Sequence, residues 1–311
     1  MNLTKFYPEG MLINNLDNQK YLSSISSLFE AKEKGIILES TAIMCDNEHN
    51  LIVPLGQITG IIPRKEGAIG IEEGTVRDIA LITRVGKPVS FIIEDFTKDE
   101  KGKTVAILSR RKVQEKCLNE YINLLPFGSV INAKVTHLET FGAFCDIGSG
   151  VIALLPIDSI SVSRISHPED RFDIGDNIKV IIKSKDSCGK ITLTHKELLG
   201  SWLEVSREFK EGQTVSGVIR SVENYGVFIE LAPNLAGLAE PNYKAKVGMW
   251  AGVYIKSIIP EKMKVKLIIV DCFEREPFKN TKYYFDGDYM DFWQYSPENC
   301  QKSIYTDFKI Q

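Results

Sequence analysis

Short apolar runs recur along most of the chain, and their spacing predicts its elements. The runs are rich in Val, Ile, Phe and Tyr and are separated by Gly, Asp, Asn or Pro. Apolar and polar positions alternate in Val130 to Val135, Lys179 to Lys183 and Thr214 to Ile219, which is typical of β-strands. About five such strands in about 70 to 80 residues fit a small barrel of the OB type, whose closure removes exposed sheet edges.

An internal repeat indicates that this barrel occurs more than once. Residues 127–156 align without a gap on residues 211–240 at a shift of 84. Three matched positions define the frame: Phe141 on Tyr225, Gly142 on Gly226 and Phe144 on Phe228. Residues 35–109 carry the frame more faintly, with His49 and Ile52 where the aromatic pair would stand. The pattern predicts an all-β fold of three tandem five-stranded OB barrels joined by short helices, the first of them diverged.

The segments between the barrels have their own patterns. Apolar residues at helical spacing predict helices from Ser109 to Leu125 and from Thr194 to Phe209, the second opened by a capping box of Thr194 and Glu197. Clustered aromatics near the C-terminus predict a strand or hairpin packed on the last barrel. The expected division is an N-terminal extension (1–34), a first barrel (35–112), a helical linker (113–126), a second barrel (127–195), a second helical linker (196–209), a third barrel (210–271) and an aromatic-rich C-terminal extension (272–311).

Composition narrows the class of protein. Mean hydropathy is -0.09 and no apolar run approaches the roughly 20 residues that cross a bilayer, so no membrane contact is expected. Six dispersed cysteines and the absence of a signal-like N-terminus favour the cytoplasm, without disulfides, metal or other cofactors. The net charge is -3, so any nucleic-acid contact has to be local. The third barrel carries eight basic and five acidic residues over 210–270 and is the locally basic one.

The repeated aromatic pair is the feature that could carry function. We expect Phe141 and Phe144, like Tyr225 and Phe228, to share the outer surface of their barrel, because the glycine between them permits a bulge or turn. Two exposed rings beside lysines would form a stacking platform for bases, worth about 1 to 3 kcal/mol per base. The alternative is that the rings fill the barrel core, as duplicated cores also repeat.

These motifs resemble the S1-type RNA-binding domain, an OB module repeated in bacterial ribosomal protein S1. The second barrel is the most similar, with FGAFCDIG, LLPIDSIS, RISHPEDRFDIGD and KSKDSCGKITLT, and the three-module arrangement resembles the S1 homologues of low-GC Gram-positive bacteria. The resemblance implies that the aromatic pairs stack bases. It also implies polar RNA contacts from Asp186 and Lys190 in the second barrel and from Lys264 in the third. The histidine usual in the family is replaced by Pro156, Glu240 and Pro63, and the Asp186 counterpart is lost at Ile259-Pro260.

The hypothesis is a non-enzymatic protein that binds single-stranded RNA in translation, with the small ribosomal subunit as a possible partner and no cofactor. One alternative is a scaffold of barrels that binds protein, with the first barrel as its main surface. The other is an enzyme. Asp286, Asp288 and Asp291 could hold a divalent ion for phosphodiester cleavage, and Asp158, Ser161 and His167 could be hydrolytic, but neither set lies in a known catalytic motif.

Overall fold

The computed structural model describes residues 5–274 and 281–309 of the 311-residue chain. The predicted all-β architecture of tandem OB modules is confirmed, with one difference in the first module. The chain divides into two compact units. One contains the chain up to Leu125 with Asn132–Lys134 and Asp146–Ile152, and the other contains the remainder. No helix in the described ranges is both long and apolar enough to cross a membrane.

The first module is an open six-stranded sheet preceded by two helices. Its elements are α1 (Leu16–Leu22), α2 (Ile25–Lys34), β1 (Leu38–Thr41), β2 (Met44–Cys45), β3 (Leu51–Leu55), β4 (Ile58–Ile62), a 3-10 turn (Arg64–Glu66), α3 (Ile79–Ile82), β5 (Pro88–Lys98) and β6 (Thr104–Ser109). The strand order is β1-β5-β6-β4-β3-β2, with β4 and β6 parallel and all other pairs antiparallel.

The first module departs from the predicted five-stranded barrel because its first strand is broken in two. β1 pairs with β5 and β2 pairs with β3, so the consecutive strands β1 and β2 form the two edges of the sheet. Between them the amide of Ala42 donates to the carbonyl of Lys87, and the next amide, that of Ile43, donates to the carbonyl of Ile52. Within this two-residue link the chain therefore stops pairing with β5 and begins pairing with β3.

The second and third barrels are closed, each from five strands. The second consists of β7 (Val130–Glu139), β8 (Gly142–Asp146), β9 (Ile152–Pro156), β10 (Asn177–Lys185) and β11 (Ile191–Thr194). The third consists of β12 (Thr214–Glu223), β13 (Gly226–Ala232), β14 (Leu235–Ala239), β15 (Trp250–Ile259) and β16 (Lys264–Phe273). The first module has the same pairing once β1 and β2 are counted as one strand, so the three modules share one topology.

The linkers differ from each other in helical content. The first contains α4 (Arg111–Glu120) and a 3-10 turn (Ile122–Leu124). The second was predicted to be one helix, but it is broken into a 3-10 turn (Lys196–Leu199) and α5 (Trp202–Ser206). Gly200 at φ +84° stops the first piece, and Ser201 with Glu204 forms the capping box of the second. Thr194 does donate to the Glu197 carboxylate at 2.6 Å, but this contact opens no α-helix.

The C-terminal extension forms a hairpin of β17 (Phe292–Gln294) and β18 (Tyr305–Asp307). Met290, Trp293 and Phe308 are buried in the same apolar cluster as the core of the third barrel. The extension also contacts the second barrel, because the Val130 amide donates to the carbonyl of Asp288 and the Met290 amide to that of Gly128. It therefore packs on both closed barrels.

Candidate nucleic-acid interface

The aromatic pair of the second barrel lies on its outer surface. Phe141 stands in the turn between β7 and β8 and is 54% exposed, and Phe144 on β8 is half-buried. Ala143 and Cys145, the neighbours of Phe144 along the strand, are fully buried and face the core. The two ring centroids are 6.0 Å apart, and the ring planes are nearly perpendicular at 88°.

The third barrel repeats this geometry. Tyr225 stands in the turn between β12 and β13 and is 68% exposed, and Phe228 on β13 is half-buried. Their centroids are 6.1 Å apart at 86°. Edge-to-face pairs at this distance are a favoured arrangement of aromatic rings. Neither Tyr225 nor Phe228 belongs to the apolar cluster that forms the core of the third barrel, so the arrangement differs from the alternative in which these rings fill the barrel.

The glycine within each pair is required by close packing of two strands. A Cβ added at Gly142 would lie 2.5 Å from the carbonyl oxygen of Leu155, and one added at Gly226 would lie 2.6 Å from that of Ala239. The shared outer surface has a separate cause. The first ring of each pair stands in the hairpin turn, before the strand begins, so strand alternation does not fix its direction. The turn, and not a bulge, brings the rings together.

The other predicted contact residues lie in the hairpin turns between the last two strands of each barrel. The exposed Asp186 accepts from the backbone amides of Cys188 and Lys190 at 2.9 and 2.8 Å, so one of its oxygens holds the turn. Lys190 is exposed beside it. In the third barrel Ile259 pairs with Lys264 at the corresponding position, and it carries no polar side-chain group. Lys264 is exposed at the start of β16.

Strand register links the third-barrel rings to further residues across the outer surface. Phe228 pairs with Ser221 on one side and with Leu238 on the other, Leu238 lies opposite Lys266, and Lys266 pairs with Ser257. Leu238 is 36% exposed and Lys266 is exposed. We call such a series of five cross-strand neighbours the outer row. The outer row of the third barrel is Ser221, Phe228, Leu238, Lys266 and Ser257.

Strand register in the second barrel pairs Leu154 with Thr192 and Thr192 with Ser184. The 84-residue match to the third barrel, which has the same topology, adds His137 and Phe144, so the outer row of the second barrel is His137, Phe144, Leu154, Thr192 and Ser184. The rings of His137 and Phe144 are 6.3 Å apart and close to parallel, at 25°. His137 also lies 2.8 Å from the Glu139 carboxylate. Sequence reasoning missed His137, although the 84-residue shift that matches Phe144 to Phe228 matches it to Ser221. The second barrel thus presents three rings where the third presents two.

The outer row of the first module contains no ring. It consists of Met44, Ile52, Ile61, Ile107 and Asp95. The predicted loss of the aromatic pair in this module is thus seen in the structure. Met44 is 51% exposed and the three isoleucines are half-buried, so the surface is aliphatic. The row ends at Asp95, whose carboxylate forms an ion pair with Lys32 at 2.6 Å.

The first module does carry a turn like that of Asp186, which sequence reasoning also missed. Asp99 accepts from the amides of Lys101 and Lys103 at 2.9 and 2.8 Å. The similarity of KDEKGK to KDSCGK was the available signal. However, the row lies four residues from this turn along β5 and along β6, whereas it lies two residues from the Asp186 turn along β10 and along β11. The Asp99 turn therefore lies about 7 Å further from the row than the Asp186 turn does.

A buried ionic network joins the second and third barrels within one compact unit. The Glu230 carboxylate accepts from Arg171 at 2.8 Å and from Arg220 at 2.6 Å, and Arg220 also donates to Asp170 at 2.7 Å. Burial disfavours the Asp170 carboxylate, but the adjacent Arg220 outweighs burial and lowers the pKa of Asp170. His167, just upstream, caps the short 3-10 helix Pro168–Asp170 through Nδ1. Charges that alternate in this way hold the two barrels in a defined arrangement.

The residues of the enzyme alternative are engaged elsewhere. Asp286 pairs with Lys179 at 2.9 Å and Asp291 with Lys309 at 2.5 Å. Throughout residues 5–274 and 281–309, no three His, Cys, Asp or Glu side chains form a group that could hold a metal ion. Ser161 donates to the carbonyl of Ser163, and His167 Nδ1 accepts from the amide of Glu169. Four of the six side chains named for the enzyme alternative are therefore held in other contacts.

Comparison with known proteins agrees with the geometry. Residues 125–196 match the model of the S1 RNA binding domain. A small ribosomal subunit protein bS1 homolog of Bacillus subtilis is 29% identical over 258 residues, which are 80% of this chain and 60% of that protein. The small ribosomal subunit protein bS1 of Staphylococcus aureus is 30% identical over 264 residues, which are 78% of this chain and 64% of that protein. The predicted resemblance to S1-domain proteins is confirmed.

The chain spans less than two thirds of the length of these relatives. Among solved structures, a multidomain protein with nucleic acid binding domains from Streptococcus pneumoniae is 15% identical. The match covers 76% of this chain and 73% of that chain at a TM-score of 0.24. This chain thus carries an S1-type domain in its second barrel and repeats the topology of that domain on either side of it.

Proposed function

We propose that the chain binds single-stranded RNA by stacking bases on the aromatic pairs of the second and third barrels. One observation carries the proposal: two barrels present the same edge-to-face pair at the same hairpin, with one ring in the turn and one on the following strand. The centroids are 6.0 and 6.1 Å apart, and the ring in the turn is more than half exposed in each barrel. Aromatic rings exposed beside cations are suited to bases of any sequence, because every base has a π-face. The match of the second barrel to the S1 RNA binding domain supports the same ligand.

Polar groups near the rings would hold the backbone and ribose of the RNA. Lys190 and Lys264 stand at corresponding turns and are exposed. Asp186 already accepts two amide bonds through Oδ1, so we assign Oδ2 to the contact with RNA. When a lysine neutralises one phosphate of a single strand, the slope of log affinity against log salt concentration changes by about -0.7.

We infer further that the RNA is bound in translation and that the small ribosomal subunit is the partner, without a cofactor and without catalysis. The printed names of the relatives from Bacillus subtilis and Staphylococcus aureus support this inference. A protein that acts on bacterial ribosomes acts in the cytoplasm, the compartment that the dispersed cysteines favour.

Titration of a fluorescent oligo-uridine with the whole chain tests the stacking. The variant pair Phe144→Ala and Phe228→Ala removes one ring from each barrel, and we expect affinity to fall by about 2 to 6 kcal/mol. The matched control is Phe292→Ala with Tyr305→Ala. Those two rings are also exposed and stacked, at 5.7 Å, but they lie on the C-terminal hairpin. Equal binding by the barrel variant and the wild type would contradict the proposal.

A second function is favoured by one observation in the first module. Ile43 and Met44 are 58% and 51% exposed at the edge of its aliphatic outer row. Such side chains suit an apolar protein surface better than a base. The first module would then act as a protein-binding scaffold while the barrels bind RNA. If the barrel variant loses RNA binding while a protein bound to the first module stays bound, both functions are supported together.

A further inference from the structure

The third barrel places a second lysine closer to the stacking surface than the one identified from sequence. Lys264 stands at the hairpin turn, whereas Lys266 is a member of the outer row itself, next to Leu238. Neighbouring strands lie about 4.8 Å apart, so two strand spacings, about 10 Å, separate the backbone of Phe228 from that of Lys266. The side chains of both residues leave the same outer face of the barrel.

The surroundings of Lys266 leave its ammonium group available. The side chain is exposed, and it forms no ion pair with any residue in the described parts of the chain. The other members of the row are a phenylalanine, a leucine and two serines, so no carboxylate stands in it. Two further lysines are exposed nearby, Lys264 on the same strand as Lys266 and Lys256 on the neighbouring strand β15. A cationic edge therefore borders the apolar part of the row.

The corresponding positions in the other modules carry different charge. Thr192 stands in the second barrel where Lys266 stands in the third, and Ile107 stands there in the first module. The next member of the row is Ser184 in the second barrel and Asp95 in the first module. The last two positions of the outer row thus hold Ile107 and Asp95 in the first module, Thr192 and Ser184 in the second barrel, and Lys266 and Ser257 in the third, where alone the fourth position is charged.

We propose that Lys266 binds a backbone phosphate of the RNA whose base stacks on Phe228, which makes the third barrel more salt-sensitive in its binding than the second. This inference rests on the proposed RNA binding. A solvated surface lysine is the usual role of an exposed Lys. The place of Lys266 in the row, one strand from Leu238 and two from the ring, gives it a specific partner instead. The second barrel, with Thr192 there, would lack this phosphate contact.

The test measures the affinity of the whole chain for oligo-uridine across a range of salt concentrations. Lys266→Thr gives the third barrel the residue of the second, and we expect the slope of log affinity against log salt to become shallower by about 0.7. At about 0.1 M salt this corresponds to roughly fivefold weaker binding. The reciprocal change, Thr192→Lys, should steepen the slope by the same amount. Lys302→Thr, an exposed lysine near the C-terminal hairpin, is the matched control.

The outcomes separate this inference from the function on which it rests. An unchanged slope in Lys266→Thr, while loss of the Phe228 ring still weakens binding, would overturn the role of Lys266 and leave RNA stacking intact. An equal change in the Lys302→Thr control would overturn it as well, because the effect would then come from net charge. If removal of the rings also leaves binding unchanged, the proposed function itself fails. An unaltered melting temperature shows that each variant is folded.

Discussion

The first module and the third barrel present the same row of five cross-strand positions with opposite chemistry. In the third barrel the row holds Phe228, Leu238 and Lys266, whereas the first module has Ile52, Ile61 and Ile107 at those positions. The strand pairing is the same in both, apart from the break in the first strand of the first module. One topology can therefore serve either an aromatic, cationic surface or an aliphatic one, because outward side chains are not constrained by the core.

The largest expected effect is a difference in RNA binding between these two surfaces. Tyr225→Ala with Phe228→Ala removes the aromatic pair of the third barrel, and we expect a loss of about 2 to 6 kcal/mol in binding to oligo-uridine. Ile43→Ala with Met44→Ala removes comparable exposed apolar area from the first module and should leave the affinity within about 0.5 kcal/mol of wild type. Fluorescence anisotropy measures both. Equal losses in the two variants would remove the distinction between the surfaces.

A second prediction concerns the pH dependence of stability, which we expect to depend on His195 of the second barrel. His195 is fully buried there, with Nδ1 3.0 Å from the carbonyl oxygen of Ile160, and burial lowers its pKa to about 4. The unfolded chain takes up this proton near the ordinary value of about 6.5, before the folded chain does. The contribution of His195 to stability is therefore complete above about pH 6.5 and declines as the pH falls toward 4.

Denaturant unfolding at pH 7 and pH 4.5 tests this contribution. The wild type should lose about 2 to 3 kcal/mol more than His195→Gln between the two pH values. Comparison with the variant matters because Asp146 titrates in the same range. Burial and the nearby Glu9 raise its pKa to about 7, which works in the opposite direction. Identical pH dependence in the two proteins would show that His195 is not the group responsible.

A smaller effect is expected from the third ring of the second barrel. His137 lies nearly parallel to Phe144, and Ser221 stands at its position in the third barrel. His137→Ser makes the second barrel like the third, and we expect a loss of about 1 kcal/mol in oligo-uridine binding at constant pH. Ser221→His should produce a comparable gain. Binding that is unaffected by either change would limit the stacking surface to the two aromatic pairs.

The smallest effect is expected from conversion of the aliphatic row. Ile52→Phe together with Ile107→Lys gives the first module two of the row residues of the third barrel. We expect a gain of no more than about 1 kcal/mol, because the turn before β3 holds only the half-buried imidazole of His49 where the closed barrels have the exposed Phe141 or Tyr225. Anisotropy against the wild type measures the gain. A gain as large as the loss from the third-barrel variant would show that one ring is sufficient.

Much of the fold could be predicted because strand alternation and an 84-residue repeat can both be seen in the sequence without knowledge of the strand pairing. The positions of Phe141 and Tyr225 beside their partner rings followed from the same repeat. The break of the first strand at Ala42 and Ile43 could not be predicted, since a two-residue link between paired strands has no distinct pattern. The break of the second linker was visible in principle, because Gly200 is followed by Ser201 and Glu204, a second capping box.

The outer row itself could not be predicted from sequence. Each module has a register shift in the strand that ends the row, for example between Ile255 and Ser257 in the third barrel. One extra residue changes which side chains are neighbours across the sheet. Lys264 was therefore identified by similarity to Lys190, whereas Lys266, the member of the row, emerged only when the strand pairs were known.

The account depends most on which outer surfaces touch RNA. Ultraviolet crosslinking of oligo-uridine to the whole chain, followed by mapping of the modified peptides, measures this directly. We predict crosslinks within residues 141–144 and 225–228 and none within residues 43–61 of the first module. Crosslinks concentrated in residues 43–61, with none at either aromatic pair, would contradict the account.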